Sequence, residues 1–155
     1  MKNFLLLLSL VMLPWSVHAQ NKFADQVYFG GGIGFNDSGV SILDDANGFQ
    51  VFGGYQFPQQ LGEFDVGIEL GYMDSGDFDP AGSASGLWST GLASYAINEK
   101  FNVLGRAGFD FGDDDGFMIG VGAGFELSDR FRLRGEYVSR DNVDSLQINV
   151  VFIPN

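Results

Sequence analysis

An all-β chain closed into an eight-stranded antiparallel up-and-down transmembrane β-barrel is what three features of this sequence predict. Short alternating runs recur along it, one parity of every run is free of charge, and the connections alternate between short turns and longer acidic loops. Successive strand side chains point to opposite faces, so such a run carries one apolar and one polar face. The stretch "FRLRGEY" (131–137) is the clearest case. Phe131, Leu133, Gly135 and Tyr137 share one parity, and Arg132, Arg134 and Glu136 share the other.

The N-terminus stands apart from this pattern. Lys2 gives a short positive start, Phe4 to Leu13 form an apolar run, and Val17-His18-Ala19 resembles a small-residue cleavage site. This is the layout of a secretory signal peptide, with an apolar run too short for a spanning helix. Residues 1–19 are therefore expected to be removed, leaving residues 20–155 as one barrel domain.

Composition narrows the function. Loss of Lys2 leaves seven basic residues against twenty acidic ones, a net charge of about −13. Nucleic acid is excluded as a partner, because its binding needs clustered Lys and Arg. The only histidine is His18, inside the expected signal peptide, and there is no cysteine. An exported chain of this kind has no disulfides and lacks both the commonest general base and the softer metal ligands. No sustained helical periodicity and no long linker interrupts the alternation.

The eight runs cover roughly 26–35, 48–57, 63–73, 87–97, 101–111, 117–127, 131–139 and 145–152, with ends placed to about two to four residues. Their first parity reads, for example, Val27-Phe29-Gly31-Ile33, Phe64-Val66-Ile68-Leu70-Tyr72 and Leu146-Ile148-Val150-Phe152, without a charge. The opposite parity holds Asp65, Glu69, Arg106, Asp110, Glu126, Arg132, Arg134 and Glu136, together with Gln50, Asn102, Gln147, Asn149 and many glycines. Short connections are expected near 58–62, 98–100 and 128–130, and longer ones near 36–47 and 74–86. The links near 112–116 and 140–144 fall at the same end as the long ones by connectivity.

Two barrels share this pattern and differ in sidedness. A soluble lipocalin-like barrel would bury the Phe-rich parity and expose the arginines. A membrane barrel turns the apolar parity to lipid and the charges inward. Run lengths of about nine to eleven residues suit a tilted spanning strand. Aromatic residues also gather near the short turns, at Phe57, Phe64, Tyr95, Phe101, Phe125 and Phe131, as interfacial girdles do. The charged face is predicted to be the inside.

Several segments then resemble the transmembrane domain of the OmpA family of outer-membrane proteins. "VYFGGGIGF" (27–35) is similar to its first strand, and "FGGYQF" (52–57) with "VGIELGY" (66–72) to its second hairpin. "YAINEKFNVLGRAGF" (95–109) and "AGFELSDRFRLRGEY" (123–137) resemble the next two hairpins. The resemblance implies an outer-membrane location and a barrel filled by an interior charge cluster. The resemblance assigns Glu69, Arg106, Arg134 and Glu136, followed by Tyr137, to that pattern, and Arg132, on the same parity, is expected to join the cluster. The family's interior lysine on strand four falls at Leu92 and its glutamate on strand six at Gly124, so the cluster is thinner here. The family's fused peptidoglycan-binding domain is not expected here, strand eight being followed by only a few residues. "LQINVVF", with Leu146, Ile148, Val150 and Phe152 on one parity, resembles the signal read by the barrel assembly machinery, displaced by Ile153-Pro154-Asn155.

The expected partners are outer-membrane lipid and lipopolysaccharide, with periplasmic chaperones and the assembly machinery during biogenesis; the expected state is a monomer. No cofactor, metal site or catalytic residue is predicted. Asp113-Asp114-Asp115-Gly116 matches part of a calcium loop, but Phe111 and Gly122 occupy two positions where that loop needs acids. A carboxylate pair such as Asp77 and Asp79 reads as solvated loop acids. The functional reading is a structural or surface-interaction barrel with a plugged lumen. The alternatives are a narrow ion or small-solute channel and an Ail-type surface adhesin, the latter disfavoured by short to moderate acidic loops.

Overall fold

The computed structural model describes residues 25–37, 46–78, 82–113, 115–141 and 143–154. The expected signal peptide, Asp44-Asp45, Asp79 and Asp114 lie outside the described residues. Eight strands follow one another: β1 (Val27–Asp37), β2 (Ala46–Leu61), β3 (Phe64–Phe78), β4 (Gly82–Ala96), β5 (Phe101–Asp110), β6 (Gly116–Ser128), β7 (Phe131–Ser139) and β8 (Asp144–Phe152). Each pairs antiparallel with the next, and β1 pairs with β8 to close the barrel. Closure leaves no sheet edge, which hydrocarbon could not hydrogen-bond.

Register follows from the alternation, because a one-residue slip would turn every charge to the outside. Ile33 stands opposite Phe49 on one side and Ile148 on the other, extending an apolar row across three strands. The uncharged parity faces outward: Phe29, Ile33, Val51, Leu70, Val121 and Ile148 are all exposed. Aromatic pairs ring the short-turn end, with Tyr55 against Phe57, Phe64 against Tyr95, Phe101 against Phe125 and Phe131 against Phe152. At the other end Phe49 meets Tyr72 and Phe109 meets Phe117. At about 3.4 Å per residue and a tilt near 40°, β6 climbs about 20 Å from Phe117 to Phe125, close to the height of an outer-membrane apolar band.

Two expected loops prove to be strand over most of their described residues. The proline and glutamines of 58–62 read as a turn, but β2 continues to Leu61 and the chain reverses at Gly62-Glu63. Gly62 takes a φ of 67°, a left-handed conformation that glycine adopts without strain. The ladder to β3 is bulged between Gln56 and Gln60, and Pro58, which has no N–H to offer, falls inside that gap. At the long-loop end β3 runs to Phe78 and β4 starts at Gly82, with a bulge between Asp74 and Asp77. There Ser75 is turned inward and buried. Its hydroxyl accepts from the Ala84 N–H at 2.9 Å, and its carbonyl accepts from the Asn36 side chain at 2.7 Å. Asp, Ser and Gly signal a break in a strand, and a bulge is one such break.

Inside, an apolar cluster joins Tyr28, Phe52, Met73, Trp88, Met118, Val138 and Val151. Glycines stand opposite its rings in the ladder: Gly54 across from Tyr28, Gly30 from Phe52 and Gly71 from Trp88. A Cβ at Gly30 would come within 2.2 Å of the Phe52 ring, and one at Gly71 within 2.4 Å of the Trp88 ring. The narrow lumen is thus filled by pairing an inward ring with an inward hydrogen.

Candidate functional site

The alternation that makes β3, β5 and β7 amphipathic brings four charges together at mid-lumen. Glu69 comes from β3, Arg106 from β5, and Arg134 and Glu136 from β7. In a closed ring of eight, β3 and β7 are diametrically opposite. Glu69 spans that diameter to Arg134, with Oε1 2.6 Å from Nη1, and also meets Arg106 at 3.3 Å. Glu136 meets Arg106 at 3.0 Å and Arg134 Nε at 2.6 Å, the latter without the alignment of a hydrogen bond. Each acid touches both bases, so the ring is closed and neutral. Its side chains are 0–2% exposed, so water screens none of these pairs.

Neutral groups complete the assembly. The Tyr28 hydroxyl donates to Glu69 Oε1 at 2.8 Å, and the Asn149 amide donates to Glu136 Oε1 at 3.1 Å. Gln50 donates onward to Gln147 and Asn149, both at 2.8 Å. The Arg106 guanidinium lies 4.6 Å over the Trp88 ring and that of Arg134 lies 4.7 Å over Phe52. Desolvated cations over aromatic faces gain further attraction, which helps to hold two guanidiniums out of water. Glycines on β6 leave the space. Gly120 stands opposite Arg106, Gly122 opposite Glu136 and Gly124 opposite Arg134.

Arg132 does not join this ring. Parity grouped it with the others, but it pairs across the ladder with Glu126 near the short-turn end, where both side chains are 26% exposed. Parity reports which face a residue occupies and is silent on depth. A further ion pair escaped the sequence reading: Arg140 reaches Asp110 at 3.2 Å near the long-loop end, and both are buried. Asp110 was visible on the inward parity, whereas Arg140 lies just past the end of β7 in what reads as a loop. Trp88, Phe52 and Tyr28 share the inward parity with the charges and were also passed over by that reading.

Small cavities of about 10 Å³ lie on either side of the ring. Each has room for about one water. Leu92 and Arg132 line the one toward the short turns. A Cβ at Gly124 would meet Asn102 Oδ1 at 2.6 Å, so no acid could stand there without displacing its neighbours. Leu146, Ile148, Val150 and Phe152 lie in a row on the outer face of β8. Among the described residues no three or more His, Cys, Asp or Glu side chains gather as a metal site. The Asp113 carboxylate accepts the Ser85 N–H at 3.0 Å.

The family profile for the outer membrane protein beta-barrel domain matches residues 4–151. No curated protein matches the chain. Among solved structures, the de novo designed TMB2.3 is similar with a TM-score of 0.62 at 14% identity, over 84% of this chain and 95% of that one. Ail, the attachment invasion locus protein of Yersinia pestis, gives 0.54 at 16% identity, over 82% and 95%. The outer membrane enzyme PagL gives 0.53 at 11%, over 81% and 98%. At such identities the likeness is one of fold alone. The profile match across nearly the whole chain agrees with the lipid-facing apolar surface and the closed barrel: the chain belongs to the family of outer-membrane β-barrel proteins.

Proposed function

We propose that this protein is a structural outer-membrane barrel whose lumen is closed to ions and solutes by its own side chains. The observation that carries the reading is the neutral ring of Glu69, Arg106, Glu136 and Arg134, packed on Trp88 and Phe52 across the full diameter. An ion passing it would have to break several buried pairs at once. Refolded protein in planar bilayers should therefore give no steady current, and charge-removing changes in the ring should raise conductance. A steady current from the parent would replace this reading with a narrow channel.

Catalysis has no part in this proposal. PagL shares the fold and is an enzyme, but the sole histidine of this chain is His18. A general base would have to come from a carboxylate, and the mid-lumen acids are committed to arginines. The protein acts as a monomer held by membrane lipid and lipopolysaccharide. It is delivered by periplasmic chaperones and inserted by the assembly machinery through the outward row of Leu146, Ile148, Val150 and Phe152. Its surface role belongs to the long-loop end, where β3 and β4 remain paired out to Phe78 and Gly82.

That role requires the long-loop end to face out of the cell. The natural chain has no cysteine, so Asp77→Cys and Glu99→Cys provide clean reporters at the two ends. An impermeant thiol reagent applied to intact cells should label the first. Preferential labelling of the second would invert the orientation.

A further inference from the structure

We propose that the lumen holds a small hard cation just inside the long-loop end, bound by the side-chain oxygens of Asn36, Gln50 and Ser145. The site lies beyond the charge ring and does not depend on whether the ring blocks conduction. All three residues border one cavity of about 10 Å³, which Gly34, Gly48, Asp74 and Gln147 also line. They are 3%, 3% and 1% exposed. Asn36 Oδ1, Gln50 Oε1 and Ser145 Oγ have no hydrogen-bond partner in the protein. Buried polar atoms are almost always partnered, so three in one cavity point to a ligand.

The orientation of both amides is fixed by what their nitrogens do. Asn36 Nδ2 donates to the Ser75 carbonyl at 2.7 Å; flipping the amide would set oxygen against oxygen. Gln50 Nε2 donates to two acceptors, Gln147 Oε1 and Asn149 Oδ1, each at 2.8 Å. Their oxygens are therefore left free for the ligand. Asn36 and Ser145 are directly opposite in the β1–β8 ladder, with Gly34 two residues along β1 on the same face. The point where a Gly34 Cβ would stand is 2.9 Å from Ser145 Oγ and 3.0 Å from Asn36 Oδ1. Glycine here preserves a pocket on which two oxygens converge.

Neutral oxygen donors on three different strands suit sodium or calcium, whose coordination is adaptable, better than magnesium, which demands near-ideal octahedral geometry. Electrostatics favour entry from the same end. One step nearer the rim Asp37 stands opposite Asp144 on the outward face of the ladder, while Asp74, which borders the cavity, and Asp77 follow on β3. The basic side chain near this end among the described residues is Arg140, held by Asp110. The rim concentrates cations, and the neutral oxygens beneath it supply the contacts.

The test is the thermal unfolding midpoint of the refolded barrel in detergent, followed by circular dichroism. Chloride salts of sodium, calcium and N-methylglucamine are compared at matched ionic strength. Sodium or calcium should raise the midpoint by about 2–4 °C over the organic cation. Gly34→Ala puts a methyl group into the pocket and should abolish that difference while leaving the rim carboxylates untouched. If that variant does not fold, Ser145→Ala, which removes one oxygen, should reduce the difference. Asn36→Asp should enhance the calcium response. Equal midpoints in all three salts would mean that the cavity holds water only. A difference that persists in Gly34→Ala, or in Ser145→Ala should that variant serve instead, would assign the effect to the rim. Either result overturns the site.

Discussion

Replacing Arg134 with methionine is expected to destabilise the folded barrel by about 3–5 kcal/mol, the range for breaking a buried ion pair from one side. The substitution leaves Glu69 and Glu136 facing one remaining cation, Arg106, in a lumen where these side chains are 0–2% exposed. It also removes the guanidinium from the face of Phe52. Arg132 gives no relief, because it is engaged with Glu126 nearer the short turns. Adding Glu69→Gln restores neutrality with one acid and one base, and the double variant should recover part of the loss as a measurable coupling. Reversible urea titration in lipid vesicles reads both values. A loss below about 1 kcal/mol for the single change would mean that the ring does not stabilise the barrel, since exposed pairs behave that way.

The second large effect belongs to the lipid face. Val121 is 62% exposed and stands on β6 midway between Phe117 and Phe125, one from each aromatic girdle. Val121→Arg should cost about 2–4 kcal/mol, the penalty for a cation near the bilayer midplane. Val103→Arg on β5 also faces lipid but lies next to the short-turn girdle at Phe101, so its arginine can reach the interface. Its cost should be smaller. The same folding titration ranks them, and equal costs or the reverse order would show that the bilayer is not centred on Val121.

Strand number, sidedness and the lipid-facing residues were legible because period-two alternation encodes them directly. What alternation cannot encode is depth and local irregularity. Glu69, Arg106, Arg134, Glu136 and Arg132 share a face, yet only the register separates the first four from the fifth. The stretches 58–61 and 74–78 were misread because proline, glycine and aspartate signal a break without saying whether it is a loop or a bulge. Trp88 and Phe52 went unnoticed for a different reason. An aromatic residue on the polar parity looks like noise until the facing glycines, Gly71 and Gly30, show that space was kept for it.

The closed ring has a consequence for the lifetime of the folded state. Its members lie on β3, β5 and β7, none of which is adjacent to another in the sheet, and its two Glu69 contacts join residues 37 and 65 positions apart. The Glu69–Arg134 contact, which crosses the lumen, is expected to form as the cylinder closes, late on the folding route. Interactions absent from the transition state leave the folding rate nearly unchanged and slow unfolding instead. The charges that fill this barrel are therefore expected to act as a latch: removing them should speed unfolding and leave the rate of insertion nearly unchanged.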